Sequence, residues 1–244
     1  MQSDKSRPTL SVVVLCYKAG DFINHYIPTL QQALHDNAID YELVLVANYN
    51  ARERDTDTTP SIARELALHN PAIQSVALEK RGMMGWDMKS GLAATCGEII
   101  AVIDGDGQMP PDDVIRVYKK LQEEHLDVAQ TFRAVRKDGL YRITISSIYN
   151  WVFRLLFPGT AVRDVNSKPK IFRRSAYEKL HLTSDGWFID AEIIIQASIN
   201  HLAIGEVPTT FYKNPTRNSF VTIGTIMDFA WNLLVYRCKK YGNK

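Results

Sequence analysis

Cysteine is scarce: three residues in 244, widely separated at Cys16, Cys96 and Cys238. With no CxxC pair they cannot form a disulfide framework, and a reduced, cytosolic chain is the expectation. The six histidines are scattered, without HExxH or a comparable spacing, which removes the common zinc signatures. No apolar run approaches the roughly 18 residues of a membrane span, and the opening stretch MQSDKSRPTL lacks the apolar segment of a secretory leader. An excess of one charge is lacking as well. The formal net charge of +2 gives no global field toward nucleic acid, and the local basic clusters FRAVRKDGLYR and KPKIFRR carry no aromatic stacking pattern. Internal repeats, low-complexity tracts and a clear linker are also missing.

What is present is ordinary globular composition, 45% hydrophobic and 23% charged, long enough for one large domain with its own core. Apolar runs rich in β-branched residues alternate with helical patterns. LSVVVLCY (10–17), YELVLVAN (41–48), IQSVALE (73–79), EIIAVID (98–104) and DVAQTFRA (127–134) read as buried strands. Helical patterns begin at Asp21 and fall near PSIARELAL, over MGWDMKSGLAATCG, and over PPDDVIRVYKKLQEE, whose prolines are a helix-start signal. This alternation predicts an α/β fold, a mainly parallel sheet with helices on both faces. Ligands of such sheets bind beyond the carboxyl ends of the strands. The loops after Tyr17, Asn48 and Ile103 therefore border one crevice.

At that crevice the chain reads AVIDGDGQMPPDD. Two carboxylates one residue apart, Asp104 and Asp106, follow an oily strand, and the glycines between them remove bulk. With Gln108 they are hard oxygen ligands suited to Mg²⁺ or Mn²⁺. A bare DxD is more often a surface turn. An EF-hand is excluded, because Met109 stands where that loop needs glycine and Ile115 where it needs glutamate.

The order of the motifs then decides. DGDGQMPPDDV, preceded by GMMGWDMKSGLAATCGEIIAVID and followed by YRITISSIYNWVFRLLFPGTAVRDVNSKPKIFRR and FIDAEIIIQASINHLAIGEVPTTF, resembles family 2 glycosyltransferases of the GT-A (Rossmann-like) fold over roughly residues 8 to 220. The nearest likeness is to polyprenyl-phosphate glycosyltransferases such as dolichyl-phosphate mannose synthases. The resemblance implies an inverting hexosyltransferase of glycan or cell-envelope biosynthesis, using a nucleotide-sugar donor and a dolichyl or undecaprenyl phosphate acceptor. It implies metal ligation by Asp104, Asp106 and Gln108. It puts donor contacts at Tyr17, Asn48, Asp104, Asp190 and Glu192, catalytic roles at Asp106, Asp164 and Arg217, and the acceptor phosphate at Arg133, Arg142 and Ser146. Three departures stand out. LCYKAG keeps only Tyr17 of the usual opening, ANYN lacks both acids of the usual second-strand motif, and NSKPK has Lys168 where the family has glycine. The first two touch base and ribose recognition; the third adds a positive charge near sugar or acceptor.

The expected organisation is a transferase domain over 1–220 and a C-terminal amphipathic helix over 221–244, on a membrane surface or in a dimer. In the stretch 140–157, Ile145, Ile148, Val152, Leu155 and Leu156 fall near one helical face, an interfacial helix or a core helix. The basic end of the chain, Arg237, Lys239 and Lys240, favours an anionic leaflet. A peripheral position at the cytoplasmic membrane face follows, alone or with a membrane-protein partner. Two alternatives remain on sequence: a soluble hydroxyl acceptor, with Asp164 or Asp190 as base, and a non-catalytic binding module.

Overall fold

The computed structural model describes residues 7–160, 162–214 and 231–238. One seven-stranded sheet organises them, in the order β3-β2-β1-β4-β6-β5-β7. The strands are β1 (Leu10–Leu15), β2 (Tyr41–Val46), β3 (Ile73–Val76), β4 (Ile99–Asp104), β5 (Val128–Arg136), β6 (Lys170–Arg173) and β7 (Ile204–Phe211). β1 runs parallel to β2 and β4, and β5 parallel to β7; only β6 is reversed, wedged between β4 and β5. Because β6 is reversed, its first residues lie at the edge where the other strands end. That single inversion puts the loop before Lys170 beside Asp104.

The helices are α1 (Ile23–Asp36), α2 (Thr59–His69), α3 (Met84–Leu92), α4 (Asp112–Glu123), α5 (Leu140–Leu156), α6 (Arg174–Tyr177) and α7 (Ile189–Ile199). Alternation along β1 serves both faces of the sheet. Leu10, Val12 and Val14 join one core with residues of α1, α2 and α4, while Val13 and Leu15 join the other with residues of α3, α5 and α7. The mainly parallel α/β sheet expected from sequence is present, and the five expected strands are β1 to β5.

β6 and β7 were not among the expected strands. β6 has four residues and β7 contains Pro208, tolerated because β7 pairs only with β5 at the sheet edge. α5 is helical as expected, and the stripe singled out from sequence is split, with Val152 and Leu156 packed against the core. Asn150 and Phe153 are its buried residues. Ile148 and Leu155, together with Leu140, Tyr141 and Trp151, are exposed. Of the expected C-terminal helix, residues 231–238 are helical, with Leu233 buried and Tyr236 packed on Phe188; residues 215–230 and 239–244 lie outside the described part. Among the described residues no helix is long and apolar enough to cross a membrane.

Candidate active site

The crevice is built at the carboxyl edge of β1, β2, β4 and β5. Asp104 ends β4 in register with Leu15 of β1, and the amide of Gly105 donates to the Leu15 carbonyl at 2.9 Å. Asp106 Oδ1 accepts from the Gln108 amide at 3.1 Å. Between them Gly107 has φ +70°, and a Cβ there would run into the Phe22 ring, so glycine is required. The end of β7 braces this loop. Tyr212 donates its amide to the Gln108 carbonyl at 2.8 Å, Gln108 Nε2 donates to the Tyr212 carbonyl at 2.9 Å, and Asn214 donates to the Asp106 carbonyl at 3.2 Å. No three His, Cys, Asp or Glu side chains among the described residues form a closed metal cage. Two carboxylates and a carboxamide on a glycine-bearing loop at the crevice fit a magnesium-type ion, which keeps waters and takes phosphate oxygens as further ligands.

A buried ionic cluster lies behind Asp104. Lys168 Nζ sits 3.1 Å from Asp190 Oδ2 and 3.5 Å from Asp104 Oδ2. Lys170 Nζ donates to the carbonyls of Val165 and Ser167, each at 2.7 Å, and lies 3.2 Å from Asp190 Oδ1. Burial raises the Asp190 carboxyl, and the two lysines outweigh it to leave the group below the usual carboxylate range. Asp164 is held by a second pair. Arg133 grips it through Nε at 2.6 Å and Nη2 at 2.7 Å, a bidentate fork. Burial pushes Asp164 up, but the guanidinium's charge and hydrogen bonds win and hold it at about 2. Glu192, on α7, spends its carboxylate on the amides of Thr183 and Ser184 and the Thr183 hydroxyl, shaping the loop that packs on the start of α3.

The corner at Tyr17 and Asn48 is a closed polar network. Asn48 is buried and donates to Asp87 Oδ1 and Ser90 Oγ, each at 2.9 Å, while accepting from the Leu78 amide at 2.8 Å. Lys80 pairs with Asp87 and stands 4.0 Å from the Tyr17 ring centroid. Burial raises Asp87 despite Lys80. The Tyr17 hydroxyl accepts from Asn50 at 2.8 Å, and Asn50 and Lys18 both donate to Glu53. Sequence reasoning missed Lys80, Asp87 and Glu53, because single charges in a helix or loop carry no spacing signal.

The expected acceptor residues border a cavity of about 390 Å³, lined among others by Arg133, Ser146, Asn150, Arg154, Arg163 and Asp164. Ser146 accepts from Arg133 Nη2 at 3.2 Å. Arg142 stands at the neighbouring edge, 3.3 Å from Asp138, which also binds Arg136; Arg133, Arg136 and Arg142 surround the Phe211 ring at 5.2, 5.6 and 5.8 Å. Arg154 and Arg163 were not singled out from sequence. Both face the cavity without an acidic partner among the described residues, and only the fold brings them to one wall. Arg217 lies outside the described residues.

The family model described as "Glycosyl transferase family 2" matches residues 11–181. Among curated relatives, a dodecaprenyl-phosphate galacturonate synthase of Rhizobium johnstonii is 26% identical over 180 residues, 72% of this chain and 51% of that protein. An undecaprenyl-phosphate 4-deoxy-4-formamido-L-arabinose transferase of Yersinia enterocolitica is 25% identical, over 78% of this chain and 56% of that protein. The chain spans about half the length of the curated relatives it matches. Among solved structures, glucosyl-3-phosphoglycerate synthase from Mycobacterium tuberculosis, in complex with Mn²⁺, UDP and glucosyl-3-phosphoglycerate, superposes with a TM-score of 0.71 at 22% identity, over 95% of this chain and 80% of that one. That likeness fixes the fold as GT-A.

Proposed function

The chain belongs to glycosyl transferase family 2, and from that premise we propose that it moves a sugar from a nucleotide-sugar donor onto a polyprenyl phosphate, by direct displacement with inversion, at the cytoplasmic membrane face. The observation that carries this reading is the state of the two candidate bases. Asp164 is locked on Arg133 and Asp190 lies between two lysines. A hydroxyl acceptor needs a base whose pKa lies near the working pH. Carboxylates held below their usual range are weak bases, and both are engaged by cations. A phosphate acceptor arrives ionised and needs only positioning and charge neutralisation. The arginine-lined cavity supplies both, with guanidinium forks matched to phosphate oxygens.

In this mechanism Asp104, Asp106 and Gln108 hold the divalent metal, Mg²⁺ or Mn²⁺, which when bound neutralises charge on the departing nucleoside diphosphate. Ser146, Arg154 and Arg163 orient the acceptor phosphate, with Arg142 at the rim. Arg133, pinned by Asp164, presents a fixed positive wall, and Asp190 with its lysines sets the floor beneath the sugar. Arg217 is assigned to the diphosphate from the family resemblance alone. The relatives named for dodecaprenyl- and undecaprenyl-phosphate products support a lipid acceptor, as does the exposed apolar face of α5 beside the arginine cavity. The phosphoglycerate complexes of the structural neighbour favour a second reading, a soluble phosphorylated acceptor whose hydroxyl attacks the donor sugar. That route requires a base, which the paired acids supply poorly.

The test is a nucleotide-sugar panel with Mn²⁺ and a short-chain prenyl phosphate. One donor yields glycosyl-phosphoprenol, and Asp106→Ala lowers that turnover by about a hundredfold or more, on the scale of losing a main electrostatic stabiliser, while the fold persists by circular dichroism. An Asp106→Ala enzyme that turns over normally contradicts the metal assignment.

A further inference from the structure

We propose that Lys168 is a built-in cation of the donor site: it shares Asp104 with the metal and gives the donor's diphosphate an anchor that does not depend on metal. The inference rests on the donor-site reading above and goes beyond it, because it concerns a residue at which this chain departs from the family pattern.

Four observations lead there. First, the reversed β6 brings the loop at Lys168 to the end of β4, where Asp104 emerges. Second, the ammonium is almost fully enclosed, with 3% of its side chain exposed, whereas 33% of Asp104 is exposed. The lysine thus forms the floor and the acid the mouth. Third, Lys170 already offsets Asp190 from its other side, at 3.2 Å. Two lysines against Asp190 leave one positive charge, and that excess is directed at Asp104. Fourth, an ammonium has three N–H donors. Two point to Asp190 and Asp104, and the remaining neighbour is Met84 Sδ at 3.4 Å, a weak acceptor. That third donor is the one most easily turned onto a phosphate oxygen.

Electrostatics then sets the order of events. A dication at Asp104 meets an ammonium 3.5 Å from the same carboxylate, a repulsion strengthened by the low dielectric of the site. A diphosphate is attracted by the lysine and the metal alike, and without metal the lysine is the charge that offsets repulsion from Asp104 and Asp106. Metal alone therefore binds weakly, diphosphate binds without metal, and the two together bind best.

The experiment uses the full chain, with Mn²⁺ and inorganic pyrophosphate as probes, followed by titration calorimetry and by the electron paramagnetic resonance of free Mn²⁺. Wild type binds pyrophosphate in EDTA. Lys168→Met, which keeps the bulk and removes the charge, weakens that binding about tenfold or more and tightens Mn²⁺ binding without pyrophosphate by a similar factor, each a shift of roughly one decade in Kd. Lys168→Arg keeps pyrophosphate binding in EDTA. Unchanged affinities for both probes in Lys168→Met overturn the inference. If that variant does not fold, wild type decides: pyrophosphate binding seen only with Mn²⁺ overturns the role of Lys168 and leaves the donor site standing, whereas no pyrophosphate binding under either condition overturns both.

Discussion

At the smallest scale, two buried pairs, Arg133–Asp164 and Asn48–Asp87, have signatures that can be measured. Arg133–Asp164 has a pH signature. The Asp164 carboxyl titrates at about 2 in the fold against about 3.9 in an unfolded chain. Its pairing therefore stabilises the protein above about pH 4, and that contribution, about 2 kcal/mol, is lost as the pH falls from about 4 to 2. Urea denaturation across this range measures it. Asp164→Asn removes the acid-dependent component and costs about 3 kcal/mol or more at neutral pH, since Arg133 is left buried and unpaired; an unaltered acid profile in the variant would refute the assignment. Asn48 makes a second case. From sequence it looked like a lost acid, yet the acid stands next to it as Asp87, bonded to the Asn48 amide at 2.9 Å. Asn48→Asp sets two buried carboxylates together and destabilises by about 2 kcal/mol, and Asp87→Asn added to it restores much of that loss, a coupling that a double-mutant cycle reads directly. The two acids proposed to hold the metal stand out in the sequence because DGDGQ is contiguous. Lys80–Asp87 and Arg163 were not, because their partners come from other elements and leave no spacing in the chain.

At the scale of elements, periodicity located five strands and α5 but not every facing. Long β-branched runs announce themselves without their neighbours. β6, four residues long, and the proline-bearing edge strand β7 do not. The stripe on α5 divides: Val152 and Leu156 pack on the core beside the buried Asn150 and Phe153, while Ile148 and Leu155 face outward. The amide of Asn150 has a structural use: its Oδ1 accepts from the buried Val165 amide at 3.0 Å and holds the loop that carries Asp164. The outward face, with Trp151 61% and Leu155 66% exposed, is the part of α5 that the proposed membrane-face reading sets against lipid. Replacing both residues by serine weakens partition onto anionic vesicles about a hundredfold or more, since fully burying such side chains is worth about 1.5–3 kcal/mol each, and leaves the melting temperature within a few degrees. Unchanged vesicle binding would remove α5 from the membrane contact.

Over the whole molecule the near-zero net charge conceals a sorting of charge by depth. Lys168 and Lys170 lie behind Asp104, at the proposed donor end, arginines line the cavity proposed for the acceptor, and Asp164 and Asp190, the two candidate bases, are paired with these cations. The sequence carried the five strands β1 to β5 and their mainly parallel arrangement. It did not carry this neutralisation, which depends on the reversal of β6 and on contacts between residues far apart in the chain, such as Arg133 with Asp164 and Lys168 with Asp104. On the proposed mechanism the acceptor brings its own negative charge. The direct measurement compares initial rates of sugar transfer, at neutral pH with Mn²⁺ and the donor found in the panel, to a short-chain prenyl phosphate and to the prenyl alcohol of the same chain. Product is expected from the phosphate, with a rate from the alcohol lower by about a hundredfold or more, the contribution expected of a missing general base. Comparable rates for the two acceptors would contradict it.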